Sequence, residues 1–126
     1  MRIDLIGKVA SGRQEGGKYL GLDWVQMQMN EKLGFTPYSG TLNLHLDDES
    51  TKRKGLLGEN KASKLCREGF CTGLLFKASM CGLACGVVIP QVENYPEDEL
   101  EIVADVNLRL KLRLYDGDKV TVTVFL

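Results

Sequence analysis

The sequence predicts a mainly β fold: a small closed or nearly closed β-barrel carrying one or two short helices. Three observations lead there. Several short runs alternate apolar and polar residues with a period of two, turns bearing glycine or proline separate them, and few stretches repeat at helical spacing. The chain has 126 residues, enough for one modest core, and shows no internal repeat, low-complexity segment or linker. A single domain spanning residues 1–126 is the expected organisation.

The elements follow in order. Ile3 to Ala10 reads as a first strand, with Gly7 marking a bulge. Ser11 to Lys18 is a glycine-bearing loop, and Tyr19 to Leu22 a short strand. Asp23 is placed to cap a helix from Trp24 to about Leu33, on which Trp24, Met27 and Leu33 share a face and Met27 and Met29 pack inward. Gly34 supplies the stop. Phe35 to Gly40 is turn-rich. Thr41 to Asp47 then alternates cleanly: Leu42, Leu44 and Leu46 face a core, while Thr41, Asn43, His45 and Asp47 form an opposite polar face.

Residues 48–69 are polar and charged. Lys52-Arg53-Lys54 reads as a solvated basic loop, and Lys61 to Arg67 as a short helix. Phe70 to Ser79 and Leu83 to Ile89 are strands around a Cys81-Gly82 turn, with Pro90 ending the second. Tyr95 to Asp98 is a turn, and Leu100 to Ala104 a strand. Leu108 to Leu114 alternates strictly, which by period is a strand. The turn Asp116-Gly117-Asp118 leads to a last strand, Lys119 to Leu126, with Val120, Val122 and Val124 inward.

Composition narrows the function. Hydrophobic residues make up 44% and charged residues 26%, and the net charge is −1. That balance argues against nonspecific nucleic-acid binding, which needs a basic surface. No apolar run reaches membrane-span length, and the N-terminus lacks a signal-peptide core, so a cytoplasmic protein without membrane contact is expected. The four cysteines, Cys66, Cys71, Cys81 and Cys85, form no paired metal knuckles, and His45 is the only histidine. They read as reduced thiols, some buried, rather than zinc ligands or a Cys–His catalytic pair.

Two features carry chemistry. Arg13, Gln14, Glu15, Gly16, Gly17 and Lys18 form a loop between strands whose backbone N–H groups can cradle phosphate oxygens, although it lacks Walker A spacing. Thr41 and Asn43 emerge side by side from a rigid strand. Their neutral oxygens suit Mg²⁺, which takes few protein ligands and keeps phosphate and water.

The run Leu33-Gly34-Phe35-Thr36-Pro37-Tyr38-Ser39-Gly40-Thr41-Leu42-Asn43-Leu44 resembles the signature of the archaeal-type CTP-dependent riboflavin kinases. The glycine loop ending in Lys18-Tyr19, Gly86 to Pro90, Tyr95-Pro96, Leu100 to Ala104, Asn107 to Arg109 and Asp116 to Asp118 extend the resemblance over most of the chain. Residues 48–69 match poorly. The resemblance implies a cradle-loop β-barrel that transfers the γ-phosphate of CTP to the ribityl 5′-hydroxyl of riboflavin, giving FMN and CDP.

It further implies Mg²⁺ on Thr41 and Asn43, nucleotide contacts from Arg13 through Tyr19 and from Val106, Asn107, Leu108 and Arg109, and flavin contact from Glu101. Glu101 would orient the attacking hydroxyl and accept its proton. The resemblance also implies a helical turn near Leu108 to Leu112, against the period-two reading.

Three departures stand out. The glycine loop is one residue longer than the commonest form, Asp105 replaces a proline, and Glu93 replaces a threonine that contacts FMN. The rival readings are a nucleic-acid-binding regulatory barrel and an inactive flavin- or nucleotide-binding protein. Nothing in the sequence fixes the oligomeric state.

Overall fold

The computed structural model describes residues 1–11 and 20–126. In chain order the described elements are β1 (Arg2–Ala10), α1 (Asp23–Leu33), β2 (Leu42–Leu46), α2 (Asp48–Lys54), a 3-10 turn (Glu59–Lys61), β3 (Ser63–Arg67), β4 (Phe70–Met80), β5 (Leu83–Pro90), β6 (Glu99–Val103), α3 (Leu108–Lys111) and β7 (Lys119–Phe125). The strands pair in the order β3-β4-β5-β6-β2-β1-β7, always antiparallel. A further pairing of β7 with β4 closes six of them into a ring and leaves β3 outside.

Closure depends on the length of β4, 11 residues. One edge pairs with β5 from Gly73 to Met80. The other is divided: Phe70 to Leu75 meets β3, and Ala78 to Met80 meets β7. The unpaired edge of β3 is covered in part by α1. The Gln28 carboxamide donates to the Cys66 carbonyl (2.6 Å) and accepts from the Cys66 amide (3.0 Å), as a neighbouring strand would.

The ring interior is filled by alternate residues of every strand, among them Leu5, Val9, Leu42, Leu44, Leu46, Ile102, Val120, Val122 and Val124. Each such side chain stabilises the fold by about 1.5–3 kcal/mol relative to exposure. A second cluster lies where α1 crosses the outer face: Val25 and Met29 pack on Leu65, Leu75, Val88 and Val103, with Trp24 and Leu33 at the margin. Gly86 permits the approach, because a Cβ there would stand 3.1 Å from the Leu33 methyls and from Val103 Cγ2.

Several expectations change. Gly7 marks no bulge; it pairs regularly with Leu46 and Val120, and a Cβ would meet the His45 carbonyl oxygen at 2.9 Å. Tyr19 lies outside the described residues, and Leu20 to Leu22 form no strand; the Leu22 carbonyl instead accepts from Val25 and Gln26 at the start of α1. Leu22 is therefore the N-cap, and Asp23 is the first helical residue, at the positive end of the helix. Met27 is exposed because the buried stripe runs through Val25 and Met29, one helical turn apart.

Of residues 61–67, Lys61 ends the 3-10 turn and Ser63 to Arg67 form β3 rather than a helix, since β4 offers them a free edge. Lys52, Arg53 and Lys54 close a helix rather than sit in a loop. Asp47 caps that helix by accepting from the Ser50 amide at 2.7 Å. Leu108 to Lys111 is helical, as the family resemblance implied. Its Leu108 is buried and Leu112 packs on the core at helical spacing, whereas Leu110 is 76% exposed. Finally, Cys66 and Cys71 form a disulfide across the β3–β4 hairpin, against the expectation of four thiols; Cys85 is buried and Cys81 exposed.

Candidate active site

Three strand ends converge. Ala10 at the end of β1 pairs with Asn43 near the start of β2, and Asn43 pairs with Glu101 on β6. The segments entering β2 and leaving β6 are tied by the Tyr38 amide, which donates to the Ala104 carbonyl at 2.7 Å. They wall a cavity of about 350 Å³ whose polar lining includes Ser11, Thr41, Asn43, Asn107 and Arg109. Its size is within the range of small-molecule sites.

Asn107 caps α3, accepting from the Leu110 amide at 3.1 Å, and its amide donates to the Tyr38 hydroxyl at 3.4 Å. Arg109, two residues on, donates to Asp116 at 2.7 Å and to the Ala10 carbonyl at 3.5 Å. The Ser11 hydroxyl also donates to Asp116, at 3.0 Å. These hydrogen bonds, Arg109's first and then Ser11's, hold the Asp116 carboxyl below its usual carboxylate range. Asp116 thus joins the end of β1 to α3 at the cavity mouth.

Glu101 is 1% exposed, a position that demands partners. Thr41 donates its hydroxyl to Oε1 at 2.8 Å, and Tyr95 donates its hydroxyl to Oε2 at 2.7 Å. Each carboxylate oxygen thus accepts from a hydroxyl on a different side, Thr41 from the strand entry and Tyr95 from the loop before β6. Beside it, Asn43 is 7% exposed, and its Oδ1 is buried with no hydrogen-bond partner among the described residues. The alternation of β2 assigned Asn43 to the correct face; that face is covered at Asn43 and stays open at His45 and Asp47.

An orphaned buried carbonyl oxygen has a desolvation cost that a cation would offset. Among the described residues no group of three or more His, Cys, Asp or Glu side chains could hold a metal. Thr41, Asn43 and Glu101 instead offer a compact all-oxygen set, the donor type that fits a hard divalent ion.

A second cavity, about 520 Å³, lies between α2, the loop before β6 and the start of β4, lined by Leu57, Leu74, Ile89, Pro90, Tyr95 and Lys54 among others. Tyr95 therefore belongs to this cavity and, through its hydroxyl, to Glu101. Lys54 donates to the carbonyls of Glu99 (2.8 Å), Glu97 (3.2 Å) and Pro96 (3.5 Å), and its ammonium stands 5.4 Å from the Tyr95 ring centroid. Burial pushes the Lys54 pKa down; the charges of Asp98, Glu97, Glu99 and Glu101 oppose that shift.

The structure brings Thr41, Asn43, Val106, Asn107, Leu108 and Arg109 to one cavity, with Glu101 adjoining it. Arg13, Gln14, Glu15, Gly16, Gly17, Lys18 and Tyr19 lie outside the described residues. Glu93 is exposed and lines neither cavity. Sequence reasoning missed Tyr95, Lys54, Ser11 and Asp116. Tyr95 and Asp116 read as turn residues and Lys54 as part of a charge run; only their long-range partners reveal them.

The family model for the CTP-dependent riboflavin kinase domain, described as a domain of unknown function (DUF120), matches residues 9–124. The chain is 40% identical to a riboflavin kinase of Ignicoccus hospitalis over 130 residues, covering 98% of this chain and 72% of that protein. It is 40% identical over 131 residues to the riboflavin kinases of Pyrobaculum aerophilum and Archaeoglobus fulgidus, again over 98% of this chain but over 61% and 55% of theirs. The chain thus spans between about half and three quarters of the length of these relatives.

Proposed function

The chain belongs to the CTP-dependent riboflavin kinase family, and from that premise we propose that it transfers the γ-phosphate of CTP to the ribityl 5′-hydroxyl of riboflavin. The products are FMN and CDP, and the reaction is placed in the cytoplasm. The observation that carries this reading is the buried Glu101 carboxylate, held by Thr41 from the first cavity and by Tyr95 from the second. A phosphotransferase needs a donor site and an acceptor site that meet at one nucleophile-orienting group.

In this reading the first cavity takes the nucleotide. Val106 to Arg109 contact it together with the loop from Arg13 to Tyr19, and Arg109 adds charge near the phosphates. The second takes the flavin, whose flat ring system suits the apolar walls of Leu57, Leu74 and Ile89 beside the Tyr95 ring. The hydroxyl reaches Glu101, which accepts its hydrogen bond and is placed to take its proton as oxygen attacks phosphorus. The bond from the γ-phosphorus to the bridging oxygen breaks, and CDP leaves.

Thr41 and Asn43 would hold Mg²⁺, with the orphaned Asn43 Oδ1 supporting the assignment. When bound there, the ion would neutralise phosphate charge during transfer.

The test is direct. The protein is incubated with riboflavin, Mg²⁺ and each of the four nucleoside triphosphates, and FMN is followed by chromatography. CTP should be the best donor. Equal or faster FMN formation with ATP overturns the donor assignment, and no FMN with any donor overturns the function.

A further inference from the structure

Lys54, which the reading above does not use, is connected to Tyr95 through the loop before β6. We propose that they are positioning residues for the transfer reaction: Lys54 fixes the loop that carries Tyr95, and the Tyr95 hydroxyl fixes the acceptor-side oxygen of Glu101. The inference rests on the kinase reading.

The anchor of this relay is rigid. Helix α2 follows β2 directly and is capped by Asp47. Its buried Ser50 takes the amide of Ile6 on β1 at 2.7 Å, so the helix is fastened to two strands of the ring. Lys54, at the end of that helix, directs its ammonium to three carbonyls of the segment 96–99. Of the three, the Glu99 and Glu97 carbonyls lie at 2.8 and 3.2 Å, within ordinary hydrogen-bond range, and that of Pro96 at 3.5 Å is a weak third contact. The hydrogen bonds of the loop to itself are long, Tyr95 N to Val92 O at 3.4 Å and Glu99 N to Pro96 O at 3.3 Å; on the β2 side the Leu46 amide donates to the Asp98 carbonyl at 2.7 Å and His45 meets the Asp98 carboxylate at 2.7 Å, so Lys54 is the tie on the Tyr95 side.

Tyr95 immediately precedes this clamped segment, with its ring beside the same ammonium. Its hydroxyl reaches Glu101 Oε2 at 2.7 Å. Thr41 holds the other oxygen, so the carboxylate plane is fixed at both ends. Removing the Tyr95 hydroxyl takes away one of these two hydrogen bonds, and the carboxylate is then held less firmly toward the approaching hydroxyl. The cost is in alignment, and hence in turnover more than in binding.

The test uses Tyr95→Phe, Lys54→Met, the double variant, and Lys54→Arg as the conservative replacement. Tyr95→Phe keeps the ring in the cavity and should fold. Its kcat should fall by about tenfold, the scale of one hydrogen bond to a charged group, while KM for CTP and for riboflavin stays within about threefold. Lys54→Met should act in the same direction, and Lys54→Arg should recover part of the loss.

Because Lys54 acts through Tyr95, the double variant should be no slower than the slower single variant. An unchanged kcat in Tyr95→Phe, or losses that multiply in the double variant, overturns the relay while leaving the kinase reading intact. A wild-type protein that makes no FMN overturns the kinase reading and the relay with it.

Discussion

Replacing Asn43 with alanine separates fold from function sharply, because two stability effects of opposite sign meet there. Asn43 is 7% exposed, and its Oδ1 is buried with no partner among the described residues. Leaving such an oxygen unsatisfied costs about 1–3 kcal/mol, and the substitution removes that cost. It also removes packed atoms from the face shared with Glu101, a loss of similar size. The net change in stability should lie within about 1 kcal/mol, or about 5 °C in Tm for a chain of this length.

Turnover should behave differently. If Oδ1 is a Mg²⁺ ligand, its loss loosens the ion and the phosphates lose alignment, and a misplacement of ~1 Å costs on the order of 10²-fold. The assay is FMN formation from CTP across a Mg²⁺ titration, with melting curves as control. Excess Mg²⁺ should restore part of the rate. Asn43→Asp supplies a second readout that needs no activity. It sets a carboxylate directly across the ladder from buried Glu101, so it should melt below wild type in chelator and rise on adding Mg²⁺. A well-folded Asn43→Ala protein with near-normal FMN formation refutes the metal assignment; so does an Asn43→Asp protein whose melting ignores Mg²⁺.

Glu101→Gln should reduce kcat far more than it weakens CTP binding, since the carboxamide is the poorer acceptor for the attacking hydroxyl; equal turnover would remove Glu101 from the mechanism. Gly7→Ala should cost about 1–3 kcal/mol by driving a methyl against the His45 carbonyl, measured by urea denaturation, and an unchanged midpoint would contradict the packing. The Asp116 carboxyl sits below its ordinary value of 3.8, so its contribution to stability is present above that pH and is lost as pH falls through the lower folded value. Wild type should therefore lose Tm faster than Asp116→Asn in that acid range, weakly because the group is exposed, and parallel curves would refute it. Without reductant, iodoacetamide should label Cys81 alone: Cys66 and Cys71 are joined, and burial pushes the Cys85 thiol up to about 12. Two fast labels would contradict this.

The barrel strands were legible because each carries its own alternation and its own punctuation. Val120, Val122 and Val124 turn inward as the period requires, and Gly34, with φ 83°, ends α1 where expected. What failed was information that lies in partners distant along the chain. Nothing local in Ser63 to Arg67 says that half an edge of β4 is available to it. Leucines 108, 110, 112 and 114 satisfy period two perfectly, yet the Asn107 cap and the left-handed Arg113, with φ 53°, turn the chain out of line, and Leu110 is left in solvent. Alternation is a necessary mark of a half-buried strand and not a sufficient one.

The site was legible in its residues but not in its environment, and one row across the sheet shows why. Leu75, Val88, Glu101, Asn43 and Ala10 are successive register partners on neighbouring strands. Leu75 and Val88 belong to the cluster beneath α1, so their apolar character answers an apolar cover. The row then changes chemistry without becoming exposed, for Glu101 and Asn43 are both buried. A buried carboxylate beside a buried, unpaired carbonyl oxygen is costly in a structure that only had to fold. Thr41 and Tyr95 offset part of that cost for Glu101, and no group among the described residues does so for Asn43 Oδ1. Alternation in β2 could say which side Asn43 faces. Only the register could say that Asn43 stands opposite a carboxylate, and that juxtaposition turns a polar strand position into a candidate ligand.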